Sequence, residues 1–474
     1  MVARALTDPG RNFLYTRVRM NTVSLVRGVF IRSALLGFAS FGLQLPLNAA
    51  EAGGTHLGAP NTPVPLEADG HLRFDYGPER LIQPDGLQPS MICTKAGTLV
   101  VQGQTSVKAI PGDRMKYPSQ IATSVSRDGG ATWTMFTTAK TGDTFNMEGG
   151  IIQLPDGTIM GLDTYVTPNK QGGGAYGQIY TSTDEYRTLQ GPVNVPFDLP
   201  KADYFGSKDD MGRPHEAERV HRRIIMLPNH TLIGTIYGVF EGDRTPATYE
   251  THMMKSRVVL IKSSDLGKHW SMVSVVAVDP AVGTEGFGEP VVERVSSGDH
   301  AGRLICLMRT GRNIYEAHSD DVGLTWSHAV PLIFAGHDVT RTELWVDMFR
   351  DLKGRSGKYL DEKNPDELQG SATDPDLLEL RSGLLVTTFG IRIPEKAWKD
   401  RFTHPWNGNY LAVSRDHGVT WSNVIQITSG IPTTHYTAIA ETPTDNQIFM
   451  VYDHDYWGRP DRYLYGRTIK ISTK

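Results

Sequence analysis

From about residue 66 onward, the apolar residues fall in short bulky runs bounded by turn formers, without the three-and-four spacing of a helix. Leu304 to Met308 is one such run, short enough and rich enough in bulky residues to be a buried strand. It follows the turn Gly302-Arg303-Leu304, and the same device recurs at Gly97-Thr98-Leu99, Gly157-Thr158-Ile159, His230-Thr231-Leu232, Gly383-Leu384-Leu385 and Asn446-Gln447-Ile448. A strand-like segment precedes each turn, as at Ser90 to Thr94, Ile151 to Leu154, Ile224 to Leu227 and Thr437 to Glu441. Strand, turn, strand is therefore the start of a unit repeated along the chain.

A second repeat interlocks with the first. Ser, Asp, Gly and Trp stand at offsets 0, 2, 4 and 7 in Ser126 to Trp133, Ser263 to Trp270, Ser319 to Trp326 and Ser414 to Trp421, with a decayed copy at Ser182 to Leu189. In such a turn Asp accepts bonds from turn amides, Gly supplies positive φ and Trp folds back over the turn. Asp128, Asp265, Asp321 and Asp416 recur once per unit and are read as parts of the fold, not as catalytic acids. Each unit then becomes strand, turn, strand, loop, strand, Asp-motif turn, strand, a four-stranded antiparallel blade. Units spaced 60, 73, 72, 81 and 63 residues apart predict an all-β, six-bladed β-propeller, one domain over residues 66–472. The sixth unit lacks the Asp motif, and His71 to Tyr76 is expected to supply its missing strand and close the ring.

Composition adds bounds. A chain of 474 residues with 39% hydrophobic residues, 21% charged residues and 49 glycines reads as a soluble, turn-rich globular protein. Residues 1–52 read as an export signal: Arg27 and Arg32 precede a short apolar stretch, and Ala49, Ala50 and Ala52 offer cleavage points, with Met20 the possible true start. Its removal leaves 42 basic against 50 acidic residues, about −8, so nothing favours a nucleic-acid partner. No later apolar run is long enough to span a membrane, and a secreted or periplasmic location follows. Cys93 and Cys306 lie in strand-like runs of different units and read as free thiols. No metal constellation stands out, and no cofactor is implied.

The Asp-box (BNR) repeat and the six blades resemble the sialidase (neuraminidase) superfamily over nearly all of residues 66–472. Gly288-Glu289-Pro290-Val291-Val292-Glu293, followed by a strand ending in Arg309, is similar to the family segment with a catalytic Glu and a substrate-binding Arg. His435-Tyr436-Thr437 is similar to the segment with the nucleophilic Tyr. The resemblance implies that Tyr436 attacks, Glu289 takes its proton and Arg309 grips a substrate carboxylate. A neutral phenol suits a substrate that carries its own carboxylate, because an anionic nucleophile would be repelled.

The chain departs from the family at three points. Leu87-Gln88-Pro89 stands where a carboxylate-binding Arg is expected, and Gln120 where an acid is. Arg392 and Arg401 lie upstream of a further expected Arg, whose place Asn407-Gly408-Asn409-Tyr410 occupies. Gln88, Gln120, Arg392, Asp374 and Asp376 are accordingly candidate substrate-binding residues, Asp85 and Asp113 candidate acids, and His215, Glu216, Arg219, His221 and Arg222 a further cluster. Three readings fit: a sialidase-like exo-glycosidase acting on a terminal acidic sugar, a lyase or glycosidase on uronate-containing glycans, and a non-catalytic glycan-binding propeller. For the last, Trp345, Trp398, Trp406 and Trp457 are possible stacking platforms. All three take a glycan as partner.

Overall fold

The structure is a computed structural model that describes residues 61–66, 68–84, 86–106, 119–137, 150–185, 188–203, 207–208, 217–248, 252–332, 334, 360–361, 364–368, 371–392, 407–430, 433–455 and 462–474. The proposed signal region lies outside them, as do Asp85, Asp113, His215, Glu216, Arg401, Trp345, Trp398, Trp406 and Trp457. The described residues contain strands and no helix.

The predicted units form antiparallel sets in chain order. Leu87–Cys93, Leu99–Ser106, Ser119–Ser126 and Thr134–Thr137 make the first sheet. Gly288–Arg294, Leu304–Arg309, Ile314–Ser319 and Val330–Pro331 make the fourth unit, and Ser371–Glu379, Leu385–Arg392, Gly408–Ser414 and Ser422–Gln426 the fifth. In the last unit Thr437–Glu441, Gln447–Asp455 and Arg462–Thr473 are completed by Leu72–Tyr76, paired antiparallel from Leu72 with Thr473 to Tyr76 with Ile469. The sequence expects this closing strand. Val64–Pro65 also covers the edge strand Ser422–Gln426, so two short strands ahead of the first unit blunt two edges.

The second and third units depart from the simple pattern. They share one nine-stranded sheet, because Tyr165–Pro168 pairs with both Ala175–Ser182 and Glu218–Met226, while Phe197 and Asp198 run parallel to Trp270 and Ser271 at the other edge. These pairings close a circuit of seven strands. The cause lies in the second unit, where an extra hairpin after Leu162 carries Tyr165 across to the third.

The first strands of successive units pack side by side in a closed circuit. Leu87–Cys93 touches Ile151–Gln153 and Thr437–Glu441, Glu218–Met226 touches Ile151–Gln153 and Gly288–Arg294, and Ser371–Glu379 touches Gly288–Arg294 and Thr437–Glu441. Apolar side chains fill each interface in turn: Trp133 and Ile82 meet Phe449 between last and first units, and Val291 and Leu307 meet Leu377 and Phe389 between fourth and fifth. Cys93 and Cys306 are free thiols in these layers.

A polar rule joins the same interfaces. The N–H of Lys95 donates to Gln153 Oε1 (2.8 Å), that of Ser296 to Glu379 Oε2 (2.8 Å) and that of Arg381 to Glu441 Oε2 (2.9 Å). In each case a turn amide meets the last residue of the next unit's first strand. At the three remaining junctions the turn residue is Pro155, Pro228 or Pro443, which has no N–H, and the facing residue is Met226, Arg294 or Cys93. Donor and acceptor are present together or absent together.

The Ser-Asp-Gly-Trp turns use their polar groups internally. Ser126 Oγ donates to Asp128 Oδ1 (2.8 Å) and accepts from Gly130 N (2.8 Å), Thr132 N donates to Asp128 Oδ1 (2.9 Å), and Trp133 Nε1 donates to Gly130 O (3.1 Å). The Ser-to-Asp and amide-to-Asp bonds repeat at Asp265, Asp321, Asp416 and the decayed Asp184. These aspartates belong to the fold.

Candidate active site

Each first strand carries a residue in the left-handed region, within it or just before it: Gln88 (φ 53°), Gly150 (94°), Arg222 (50°), Glu289 (41°), Asp374 (50°) and His435 (60°). At Gln88, Arg222, Glu289 and Asp374 the pairing register with the next strand shifts, the mark of a β-bulge. Pro89, Pro290 and Pro375 follow three of these residues and need no ladder partner. Side chains can hold such backbone only where their surroundings over-determine it. The bonds around Glu289 and Asp374 show how.

Glu289 is 6% exposed and spends both oxygens. Oε1 accepts from the Tyr436 hydroxyl and from Arg309 Nη1 (2.6 Å), and Oε2 accepts from Thr373 Oγ1 (3.1 Å) and Asp374 N (3.1 Å). Burial alone pushes this carboxyl up, but the charges of Arg309, His221 and Arg392 and the Tyr436 hydrogen bond more than reverse that, to about 2. Glu289 is therefore an ionised carboxylate holding a phenol proton at neutral pH.

The sequence brings together Tyr436, Glu289 and Arg309, and the structure places them in contact. Arg309 is pinned on its other side by Glu285, whose Oε1 is 2.6 Å from Nε. Arg392, 4% exposed, lies with its guanidinium 5.5 Å from the centre of the Tyr436 ring and donates Nε–H to Thr434 O (2.8 Å). Its other guanidinium N–H groups have no partner among the described residues. Arg392 is thus the cation beside the phenol with donors to spare.

Asp374 and Asp376 lie inside the strand Ser371–Glu379 and are spent on protein donors. Asp374, fully buried, pairs with Arg222 through Nε (3.1 Å) and Nη2 and accepts from Thr437 N (2.8 Å); His221 Nε2 stands 3.2 Å away. Asp376 takes Arg223 Nε (2.8 Å) and Nη2 (3.1 Å) together with the Leu377 and Ile439 amides (2.9 and 2.8 Å). The two pairs tie the third unit to the fifth and sixth, and Arg222 Nη1 also donates to Pro89 O in the first. Beside them a cavity of about 450 Å³ is lined by Lys95, Gln153, Arg223, Asp376, Arg381 and Glu441. Gln88 donates its backbone N–H to Asp453 (2.9 Å), and the backbone of Gln120 lies in the strand Ser119–Ser126.

Sequence reasoning missed Glu285, Arg223 and Asp453. Asp453, fully buried, accepts from Gln88 N, from Tyr436 N (3.4 Å) and from the Thr434 hydroxyl, and so joins last unit to first beside the phenol. Burial, with Asp374 adding to it, pushes this carboxyl up to about 7. A usable signal is the pattern Gln-Pro, Glu-Pro, Asp-Pro at residues 88, 289 and 374, which marks the bulges.

No protein-family model and no curated protein matches the sequence. Solved structures do. A protein of unknown function from Dyadobacter fermentans aligns over 85% of this chain and 100% of its own at 19% identity, with TM-score 0.55. An alpha-L-arabinofuranosidase from Fusarium graminearum, bound to an iminosugar inhibitor, aligns over 82% of this chain and 94% of its own at 12% identity, with TM-score 0.50. The fold is one that glycoside hydrolases use. A Hadza microbial sialidase also aligns, over 83% of this chain and 66% of its own, at 15% identity and TM-score 0.48. At such identities the likeness concerns the fold, and the chemistry rests on the residues described above. Among the described residues no group of three or more His, Cys, Asp and Glu is placed to hold a metal, and no helix is long and apolar enough to cross a membrane.

Proposed function

We propose that the chain is a six-bladed propeller glycoside hydrolase, exported from the cell, that removes a terminal acidic sugar from a glycan, best read as an exo-α-sialidase. The observation that carries this is the Tyr436 hydroxyl bonded to a Glu289 carboxylate that Arg309 keeps ionised. A phenol with an ordinary pKa near 10 becomes a nucleophile when such a base takes its proton. Tyr436 Oη attacks the anomeric carbon as Glu289 accepts the phenolic proton, and the glycosidic C–O bond breaks with the departing sugar oxygen taking a proton from solvent; water then attacks the anomeric carbon of the glycosyl-tyrosine and gives its proton to solvent, and the released phenolate recovers its proton from Glu289.

Arg392, with its unspent N–H groups against the Tyr436 ring, takes the substrate carboxylate in this scheme. Arg309, held between Glu285 and Glu289, positions the base and sets its charge. Asp374 and Asp376 hold the frame. The unbroken circuit of first strands and interfaces supports the count of six. The test is Arg392→Ala on sialyl and neutral glycosides. Loss of one charged hydrogen-bonding partner, about 1.5 to 3 kcal/mol, lowers kcat/KM on the sialyl substrate by roughly 10- to 100-fold and spares a neutral one; equal losses on both would remove Arg392 from carboxylate binding.

A further inference from the structure

Across Glu289 from Tyr436 and Arg392, three cross-strand neighbours form a row that the reaction scheme leaves unused. Arg219 pairs with Tyr165 on one side and with Tyr237 on the other. Its guanidinium carbon is 5.9 Å from the centre of the Tyr165 ring and 5.7 Å from that of Tyr237, so the cation is held between two aromatic rings. All three residues are half-buried, so all three present surface to solvent.

The row abuts the site. A Cβ placed on Gly288 would lie 3.3 Å from Tyr237 Cδ2, so the Tyr237 ring lies against the backbone just before Glu289. His221 meets Tyr237 edge-on at 6.1 Å, with Nδ1 3.3 Å from Pro290 O, just after Glu289. Tyr165 belongs to the extra strand that joins the second unit to the third, the segment that departs from the repeat. An insertion that brings an aromatic ring beside the start of a first strand, next to a half-buried Arg and a second Tyr, has the make-up of a sugar platform: half-buried aromatic surface for the C–H face of a pyranose, held in place by the cation between the rings.

We propose that Tyr165, Arg219 and Tyr237 form a subsite for the neutral sugar next to the scissile bond, the leaving-group residue. This rests on the assignment of Tyr436 and Glu289 as the reacting pair. Units five and six flank the phenol with Arg392 and Thr434, and the departing sugar takes the side that the second and third units form.

The experiment titrates the full-length protein with lactose, a neutral disaccharide, and follows saturation transfer to the sugar protons by NMR. The unsubstituted protein binds lactose, Tyr165→Ala/Tyr237→Ala weakens binding about tenfold or more, Tyr165→Phe/Tyr237→Phe retains it, and Arg392→Ala leaves it unchanged. No transfer with the unsubstituted protein, or equal transfer with the double Ala variant of unchanged Tm, overturns the subsite. Failure of the reacting-pair assignment shows elsewhere, as turnover surviving in Tyr436→Phe, and is independent of the lactose result.

Discussion

Replacing Asp374 by Ala removes one partner of an ion pair sealed from water. The Arg222 side chain is 3% exposed and that of Asp374 is fully buried, and in the variant the guanidinium keeps Pro89 O but loses both carboxylate oxygens. Thr437 N–H loses its acceptor as well. Breaking a buried pair from one side costs about 3 to 5 kcal/mol, because the surviving charge stays buried. An unfolding entropy of about 2.1 cal/mol/K per residue, taken over roughly 400 residues, turns a loss of 4 kcal/mol into a fall of about 5 °C in Tm. The assay is thermal unfolding of Asp374→Ala beside Arg222→Met/Asp374→Leu, in which both charges are gone. The double variant should recover most of the loss, since the pair itself is worth far less than the penalty for splitting it. A single variant within about 1 °C of the parent would refute the reasoning, because Arg222 would then have reached water and the pair would not be sealed as described above.

Other outcomes follow from the same geometry. Burial pushes Asp453, Glu293 and Glu316 each up to about 7, so the folded state holds more protons than the unfolded chain between about pH 4 and 7, and stability falls as pH rises through that window. Glu289, held down at about 2, acts oppositely, and its contribution is lost only as pH falls below the ordinary Glu value. Tm should therefore be higher at pH 5 than at pH 8, with a shallower slope in Asp453→Asn; a Tm rising from pH 5 to pH 8 contradicts the assignment. Gln153→Met removes the acceptor of the Lys95 amide and should cost about 0.5 to 1 kcal/mol in denaturant unfolding, and no loss would show that the turn-amide rule is incidental.

The architecture was legible because it repeats. A turn glycine, an apolar run and a Ser-Asp-Gly-Trp turn recur often enough for unit boundaries and the closing strand at Leu72–Tyr76 to be read from residues 66 onward. Merging of the second and third units was not legible, since it depends on a short strand, Tyr165–Pro168, that belongs to no repeat, and on the parallel pairing of Phe197 and Asp198 with Trp270 and Ser271. Within the site, the meeting of Tyr436, Glu289 and Arg309 followed from the family resemblance. Hidden from it was the direction of the side chains. Strand alternation assigns Arg222 and Arg223 to opposite faces, yet the bulge at Arg222 lets both reach aspartates of the fifth unit. Asp374 and Asp376 read as sugar ligands until those arginines, some 150 positions earlier in the chain, are seen to take them. Glu285 lies one Gly-rich turn before Glu289, and its role appears only when Arg309 is placed between them.

The central claim is that Tyr436 is the nucleophile and Glu289 its base. Product analysis of the purified protein on a panel of sialyl and uronyl glycosides, with Tyr436→Phe in parallel, tests it most directly. Free acidic sugar from the parent, and none from a Tyr436→Phe protein of unchanged Tm, is the predicted result. Undiminished release by Tyr436→Phe, or an unsaturated product absorbing in the ultraviolet, would contradict it and point to chemistry that has no need of the phenol.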